Sequence, residues 1–143
     1  MLIGLSDTAG NTFGPAQYTL SLKESGELTL SKKDTAQPLA TVASEAIKTL
    51  GDKRLHSLWL NYDHGMFSLG IDMPIGSNPV WTFTDPSPVD NMRYLALGTS
   101  TAMMQYTSIA FSKFYDPTTM VTNDDLSYQW KDEWRFNEPD KGT

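Results

Sequence analysis

Apolar and polar residues alternate along most of this chain in short runs, and clusters of turn-forming residues separate the runs. The clearest run is YTLSL at residues 18–22, which the turn-like residues 23–26 separate from a second run, LTL, at residues 28–30. Successive side chains of a strand point to opposite faces, so this alternation fits strands that bury one face. The segment therefore predicts a β-hairpin.

The same pattern recurs to residue 114 and predicts an antiparallel all-β fold. We expect a jelly-roll-like β-sandwich of about eight strands, with at most one or two short helices. A closed barrel is the alternative that the pattern leaves open. Residues 40–50 have apolar positions at helical spacing and predict a short helix or a loop crossing. The predicted strands lie at residues 1–5, 18–22, 28–30, 55–60, 66–71, 80–83, 93–98 and 106–114.

The second predicted hairpin, around residues 61–65, has two possible inward faces. Either Leu58 and Leu60 point into the core, or Trp59 does so with its neighbours two positions away. Asp63, His64 and Gly65 tolerate positive φ and suit the turn between the two strands.

Length and charge indicate one domain with an acidic extension. The chain has 143 residues, the size of a single domain. Residues 1–115 carry ten acids and eight bases, whereas residues 116–143 carry seven acids and three bases. We expect a β-sandwich over residues 1–115 and a partly docked, partly disordered extension over residues 116–143.

Composition excludes several classes of partner. The net charge is −6 and no basic stripe is present, so nucleic acid is not an expected partner. No apolar run reaches the length of a membrane span, and membrane insertion is not expected. Cysteine is absent, which removes disulfides, thiolate metal sites and a cysteine nucleophile. The first residues do not have the pattern of a signal peptide.

Catalytic and metal motifs are sparse. The two histidines, His56 and His64, stand eight positions apart with no third zinc ligand at a matching spacing, and no cofactor motif occurs. If the chain is an enzyme, acid–base chemistry would fall to polar residues near the second hairpin, oriented by tyrosines. That alternative set is Asp63, His64, Asp85, Tyr62 and Tyr94.

Calcium is the one metal with weak candidates, because it accepts oxygen ligands from loops. One group is Asp7 with Asn11, and the other is Asn123, Asp124 and Asp125. Asp and Asn are also ordinary residues of turns and caps, so we expect no metal or cofactor.

Three segments resemble one known family. The run LWLNYDHGMFSLG at residues 58–70 resembles the farnesoic acid O-methyltransferase-like domain, which has a tryptophan strand, a glycine turn and a strand ending in glycine. Residues 3–7, IGLSD, and residues 80–100, with VWTFTDPSP and YLALGTS, agree in order and spacing. The resemblance covers roughly residues 1–114. It implies a β-sandwich module that is extracellular in animals and accompanies adhesive or defence modules.

Two functions follow from these observations as hypotheses. The first is a non-enzymatic recognition module for a glycan, a protein or a neighbouring domain, with contacts on loops that carry Asp7, Asn11, Asn61, Tyr62, Asp63 and His64. The alternative is a β-barrel enzyme or carrier for a small apolar ligand, isoprenoid or lipid-like. Methyltransferase activity is not expected, since a sandwich lacks the glycine-rich turn on which doubly wound methyltransferases hold their cofactor.

Overall fold

The computed structural model describes residues 1–8, 14–52 and 54–99, and these residues form two antiparallel sheets. The predicted all-β fold is confirmed, and the helical content is one short segment. The strands are β1 Leu2–Ser6, β2 Tyr18–Leu22, β3 Glu27–Lys32, β4 Ala40–Ala43, β5 Leu58–Asp63, β6 Met66–Ile71, β7 Trp81–Thr84 and β8 Tyr94–Gly98, and the helix is α1 Glu45–Lys48 with a 3-10 turn at Thr49–Gly51.

Consecutive strands are neighbours in both sheets, except that β8 crosses over from the smaller sheet to pair with β1. The larger sheet has the order β4-β3-β2-β1-β8, and the smaller one has the order β5-β6-β7. The predicted hairpin is β2–β3, with Leu20 opposite Leu30. Gly26 closes its turn at φ +91°, a conformation that glycine adopts without the usual steric penalty.

The core lies between the two sheets and is filled by alternate residues of their strands. Fully buried members come from both sheets and from α1, which contributes Ile47. Tyr18 of the larger sheet meets Phe67 of the smaller one edge to face, with 5.1 Å between ring centroids. Because strands of both sheets supply one continuous core, the sandwich packs as a single unit.

Packing in the structure shows which face of β5 points into the core. Leu58, Leu60 and Tyr62 pack against the core, so the first alternative for the inward face is correct. Trp59 lies on the opposite face, although it is only 8% exposed. It pairs with Gly70, and a Cβ on that glycine would stand 2.1 Å from the indole ring. The ring therefore lies against a position that no larger residue could occupy.

Residues 40–50 differ from the prediction in their first part. Residues 40–43 form edge strand β4, and the helix begins only at Glu45. The predicted strand at 106–114 and the extension at 116–143 lie outside the described residues. Within the described part of the chain, no helix has the length and apolar character needed to cross a membrane.

Candidate binding loops at one end of the sandwich

A buried ionic network ties the two sheets together beneath the β5–β6 turn. Asp85, which follows β7, is 4% exposed. Its Oδ2 accepts hydrogen bonds from the Tyr18 hydroxyl and from Lys32 Nζ, each at 2.8 Å. Its Oδ1 accepts the backbone N–H of Ser87 at 2.9 Å. The carboxylate thus has donors on both oxygens, from strands of the larger sheet and from its own loop.

This environment keeps Asp85 ionised. Burial alone would raise the pKa of the Asp85 carboxyl, but the hydrogen bonds from Lys32, the Ser87 amide and Tyr18 outweigh it and hold that pKa below its usual value. Burial in turn raises the pKa of the Tyr18 hydroxyl. A general acid or base at neutral pH needs the opposite shift and access to a substrate. The placement of Asp85 therefore points to a structural role and weighs against the acid–base role considered for it.

The β5–β6 turn is fixed against this network by a glycine. Gly65 has φ +85°, and a Cβ there would stand 2.6 Å from the Pro88 side chain. Its carbonyl accepts the backbone N–H of Asp85 at 2.9 Å. Any larger residue would push the turn away from residues 85–93, the crossover that leads from β7 to β8. Positive φ is found at His64 and Gly65, as expected for the turn, whereas Asp63 is the last residue of β5 and has no positive φ.

The β5–β6 turn and the neighbouring crossover together present an imidazole and two carboxylates to solvent. The side chain of His64 is 83% exposed, and those of Asp63 and Asp90 are more than half exposed. His64 Nδ1 lies 3.3 Å from Asp90 Oδ1, and His64 Nε2 lies 3.8 Å from Asp63 Oδ1. We call these three residues the tip cluster. Their polar groups are accessible, and the backbone that carries them is anchored.

Tyr62 belongs to the base of the tip cluster and not to its exposed part. Its hydroxyl donates to the Val89 carbonyl, and its ring packs on Tyr18 and Phe67 with centroids 5.6 and 4.9 Å away. Burial raises the pKa of the Tyr62 hydroxyl. Asn61 is half-buried on the face of β5 that points away from the core. Tyr62 therefore holds the crossover in place, which is a different task from the ligand contact considered for it.

Two further residues considered for the site lie elsewhere. Asp7 is exposed after β1, and its Oδ1 is 3.2 Å from Gln17 Nε2, a hydrogen bond that lowers the pKa of the Asp7 carboxyl. Tyr94 stands opposite Ser6 in the larger sheet and borders a depression of about 10 Å³. That volume holds about one water molecule, so the depression is too small for an organic ligand.

The calcium hypothesis gains no geometric support from the described residues. Asn11, Asn123, Asp124 and Asp125 lie outside them. In the parts of the chain that the structure describes, no group of three or more His, Cys, Asp or Glu side chains is arranged to hold a metal ion.

Sequence reasoning missed the residues that support the tip cluster. Lys32 takes the inward position after Leu28 and Leu30, and a lysine in register with a buried stripe was the available signal. Asp90 gave no signal, because 26 residues separate it from His64. A second missed cluster joins His56 to Asp52 and Asp72. His56 Nε2 lies 2.8 Å from Asp52 Oδ1, and His56 Nδ1 lies 2.6 Å from Asp72 Oδ2.

Comparison of the chain with family models, with curated proteins and with solved structures found no match. The resemblance to the farnesoic acid O-methyltransferase-like domain therefore stays a prediction from the quoted segments.

Proposed function

We propose that this protein is a non-enzymatic recognition module that binds a glycan, a protein or a neighbouring domain through the tip cluster. The observation that carries the proposal is the combination of exposed polar groups with a fixed base. Asp63, His64 and Asp90 are open to solvent, while Gly65 and the Asp85 network hold the turn and the crossover together. Binding by a preformed loop loses little conformational entropy, which favours affinity.

The chemistry of the cluster suits a polar partner. Two carboxylates accept hydrogen bonds from hydroxyl, amide or ammonium groups, and an imidazole can donate or accept. Hydroxyl-rich glycans and basic protein surfaces present such donors. Catalysis would need a nucleophile or a base aligned with a third group. The described residues of the cluster offer only solvent-exposed contacts of 3.3 and 3.8 Å.

The alternative of an apolar-ligand carrier has less support. The space between the sheets is occupied by side chains that are less than 2% exposed, such as Tyr18, Phe67 and Leu69. A carrier needs a cavity of several hundred cubic ångströms for its ligand. The carrier hypothesis makes its own prediction, which is saturable quenching of tryptophan fluorescence by isoprenoids or fatty acids.

Binding assays with matched variants test the proposal. The wild-type chain is applied to a glycan array and to immobilised basic and acidic peptides, together with His64→Ala and Asp90→Ala. Glu24→Ala, at an exposed turn of the larger sheet, is the control. We expect binding that the two tip variants weaken at least about tenfold and that the control retains, with unchanged circular dichroism.

Two results would overturn the proposal. One is binding that survives in the double variant His64→Ala/Asp90→Ala. The other is saturable binding of an isoprenoid with no polar ligand on the arrays. Calorimetry with S-adenosylmethionine is expected to show no heat of binding, in keeping with the all-β fold of the described residues.

A further inference from the structure

Within the described part of the chain, β5 is a sheet edge without the usual protection. Among the described strands it is hydrogen-bonded to β6 alone. Of the other edge strands, β4 and β7 have four residues each with prolines close by at 38, 79 and 86, and β8, the second edge of the larger sheet, has five residues. β5 has six residues and no proline. Short strands and nearby prolines are the usual protection of an edge against pairing, and β5 has neither.

The hydrogen-bond pattern identifies which backbone groups face away from β6. The N–H of Asp72 donates to the carbonyl of Ser57 at 2.8 Å, so residues 57 and 72 form a hydrogen-bonded pair. Such pairs alternate along an antiparallel ladder. The N–H and C=O groups of Leu58, Leu60 and Tyr62 therefore point to the open edge.

The side chains of the same three residues are incompletely covered. Leu58, Leu60 and Tyr62 pack against the core yet are only half-buried. On the neighbouring strand, Phe67, Leu69 and Ile71 are 0–4% exposed. The edge thus combines backbone groups that no other described strand pairs with apolar surface that a further strand would bury.

We propose that β5 pairs with β5 of a second copy of this chain, antiparallel, around a two-fold axis at Leu60. In this register Leu60 lies opposite Leu60 of the second copy, and Leu58 lies opposite Tyr62. Each copy contributes three N–H and three C=O groups, so all of them are paired in six hydrogen bonds. The two three-stranded sheets become one continuous six-stranded sheet.

The strand is self-complementary only in this register. A shift by one residue would place inward side chains opposite outward ones, which the sheet geometry does not allow. A two-fold axis at residue 59 or 61 pairs two of the three edge residues and leaves the third opposite a loop. In the Leu60 register, apolar side chains face apolar ones on the inner side, and Trp59 faces Asn61 on the outer side. Like charges do not meet along β5.

This interface is separate from the proposed recognition site. Pairing ends at Tyr62, one residue before the tip cluster begins, and the symmetric arrangement places the two clusters at opposite ends of the joined strands. A failure of ligand binding would therefore leave the dimer proposal standing, and a monomeric protein would leave the recognition proposal standing.

The absence of cysteine makes a cross-linking test clean. Leu60→Cys introduces the sole thiol of the 143-residue chain, so any disulfide must join two copies. Directly opposite hydrogen-bonded residues have Cα atoms about 5.5 Å apart, within the range that a disulfide spans. Residues 61 of the two copies would be diagonal neighbours about 7–8 Å apart, beyond that range.

We expect Leu60→Cys to form a disulfide with oxidised glutathione at least about tenfold faster than Asn61→Cys or the exposed control Thr82→Cys. Light scattering of the wild-type chain, from low micromolar to submillimolar concentration, should show the mass rising from one copy to two. Faster oxidation of Asn61→Cys than of Leu60→Cys would overturn the register. A monomeric wild-type mass throughout, with equal oxidation rates for the three variants, would show that β5 is covered by another part of the chain or by nothing.

Discussion

At the scale of single residues, Trp59 and Gly70 depend on each other. A Cβ at Gly70 would stand 2.1 Å from Trp59 Cε2 and Nε1, so the indole ring rests on the glycine. Among the described residues, Nε1 is buried and has no hydrogen-bond partner. Within that part of the chain, the contact with Gly70 holds the ring in place.

A double-mutant cycle tests this dependence. Gly70→Ala should lower the free energy of unfolding by about 1–3 kcal/mol, because the methyl group displaces the ring. Trp59→Ala should lower it by about 3–5 kcal/mol through loss of a large buried side chain. In the Trp59→Ala background, Gly70→Ala should have little further effect. Urea unfolding followed by circular dichroism measures all four proteins, and additive effects would contradict the packing described.

Gly65 and Gly76 offer a matched comparison of backbone strain and steric clash. Their φ angles are +85° and +81°, but a Cβ at Gly76 would meet nothing within 4 Å. Gly76→Ala should therefore lower the free energy of unfolding by about 1 kcal/mol, the cost of a left-handed conformation. Gly65→Ala should lower it by about 1–3 kcal/mol more, because of the contact with Pro88. Equal values in thermal unfolding would show that the crossover moves aside freely.

At the scale of elements, His56 fastens the loop after the 3-10 turn to the end of β6. Its side chain is 7% exposed. Nδ1 contacts the carboxylate of Asp72, and Nε2 contacts the carboxylate of Asp52. Hydrogen bonds that the imidazole donates to the carboxylates of Asp72 and Asp52 favour its protonated form and raise the pKa of His56. Arg54 and His56 in turn hold the pKa of Asp52 below its usual value, and His56 does the same for Asp72.

The pKa shift of His56 predicts a pH-dependent stability. A histidine with a raised pKa in the folded state stabilises that state fully below its ordinary value of 6.5, and the stabilisation is lost as the pH rises through the folded pKa. The melting temperature should therefore fall as the pH rises above 6.5. His56→Gln should remove this slope. His64→Gln, which replaces the other histidine at an exposed turn, should retain it, and an unchanged slope in His56→Gln would assign the effect to another group.

Prediction of elements from the sequence succeeded where one local pattern was decisive. The β2–β3 and β5–β6 hairpins combine alternation with turn residues, and both were predicted, although β5 begins and ends three residues later than the predicted strand at residues 55–60. Residues 40–43 were not recognised as a strand, because a four-residue run beside a helix fits both periodicities. The inward face of β5 stayed open because Leu58 and Trp59 are both apolar, and only packing against the second sheet decides between them.

At the scale of the whole molecule, the limit of sequence reasoning is distance along the chain. The turn at Asp63, His64 and Gly65 is local, and its chemistry could be inferred. The network beneath it joins Asp85 to Lys32 and Tyr18. These two residues precede Asp85 by 53 and 67 positions in the sequence. No spacing rule links such residues. Asp85 was therefore considered for acid–base chemistry, whereas the structure places it in the hydrogen-bond network that connects the two sheets.

The Lys32–Asp85 ion pair between the sheets predicts that the effects of substituting the two residues on the free energy of unfolding are strongly coupled. Asp85→Asn should lower the free energy of unfolding by about 3 kcal/mol, because it leaves a lysine that is 16% exposed without its counter-charge. Lys32→Met should also destabilise the fold, and the double variant should lose less than the sum of the two by about 1–3 kcal/mol. The pair Lys23–Glu27 is the matched control, since its side chains are 58% and 39% exposed and its removal should change the stability little. Urea unfolding of the wild type, both single variants and the double variant measures the coupling. Additive losses, or an equal effect of Lys23→Met and Lys32→Met, would show that the two sheets are held together by apolar packing alone.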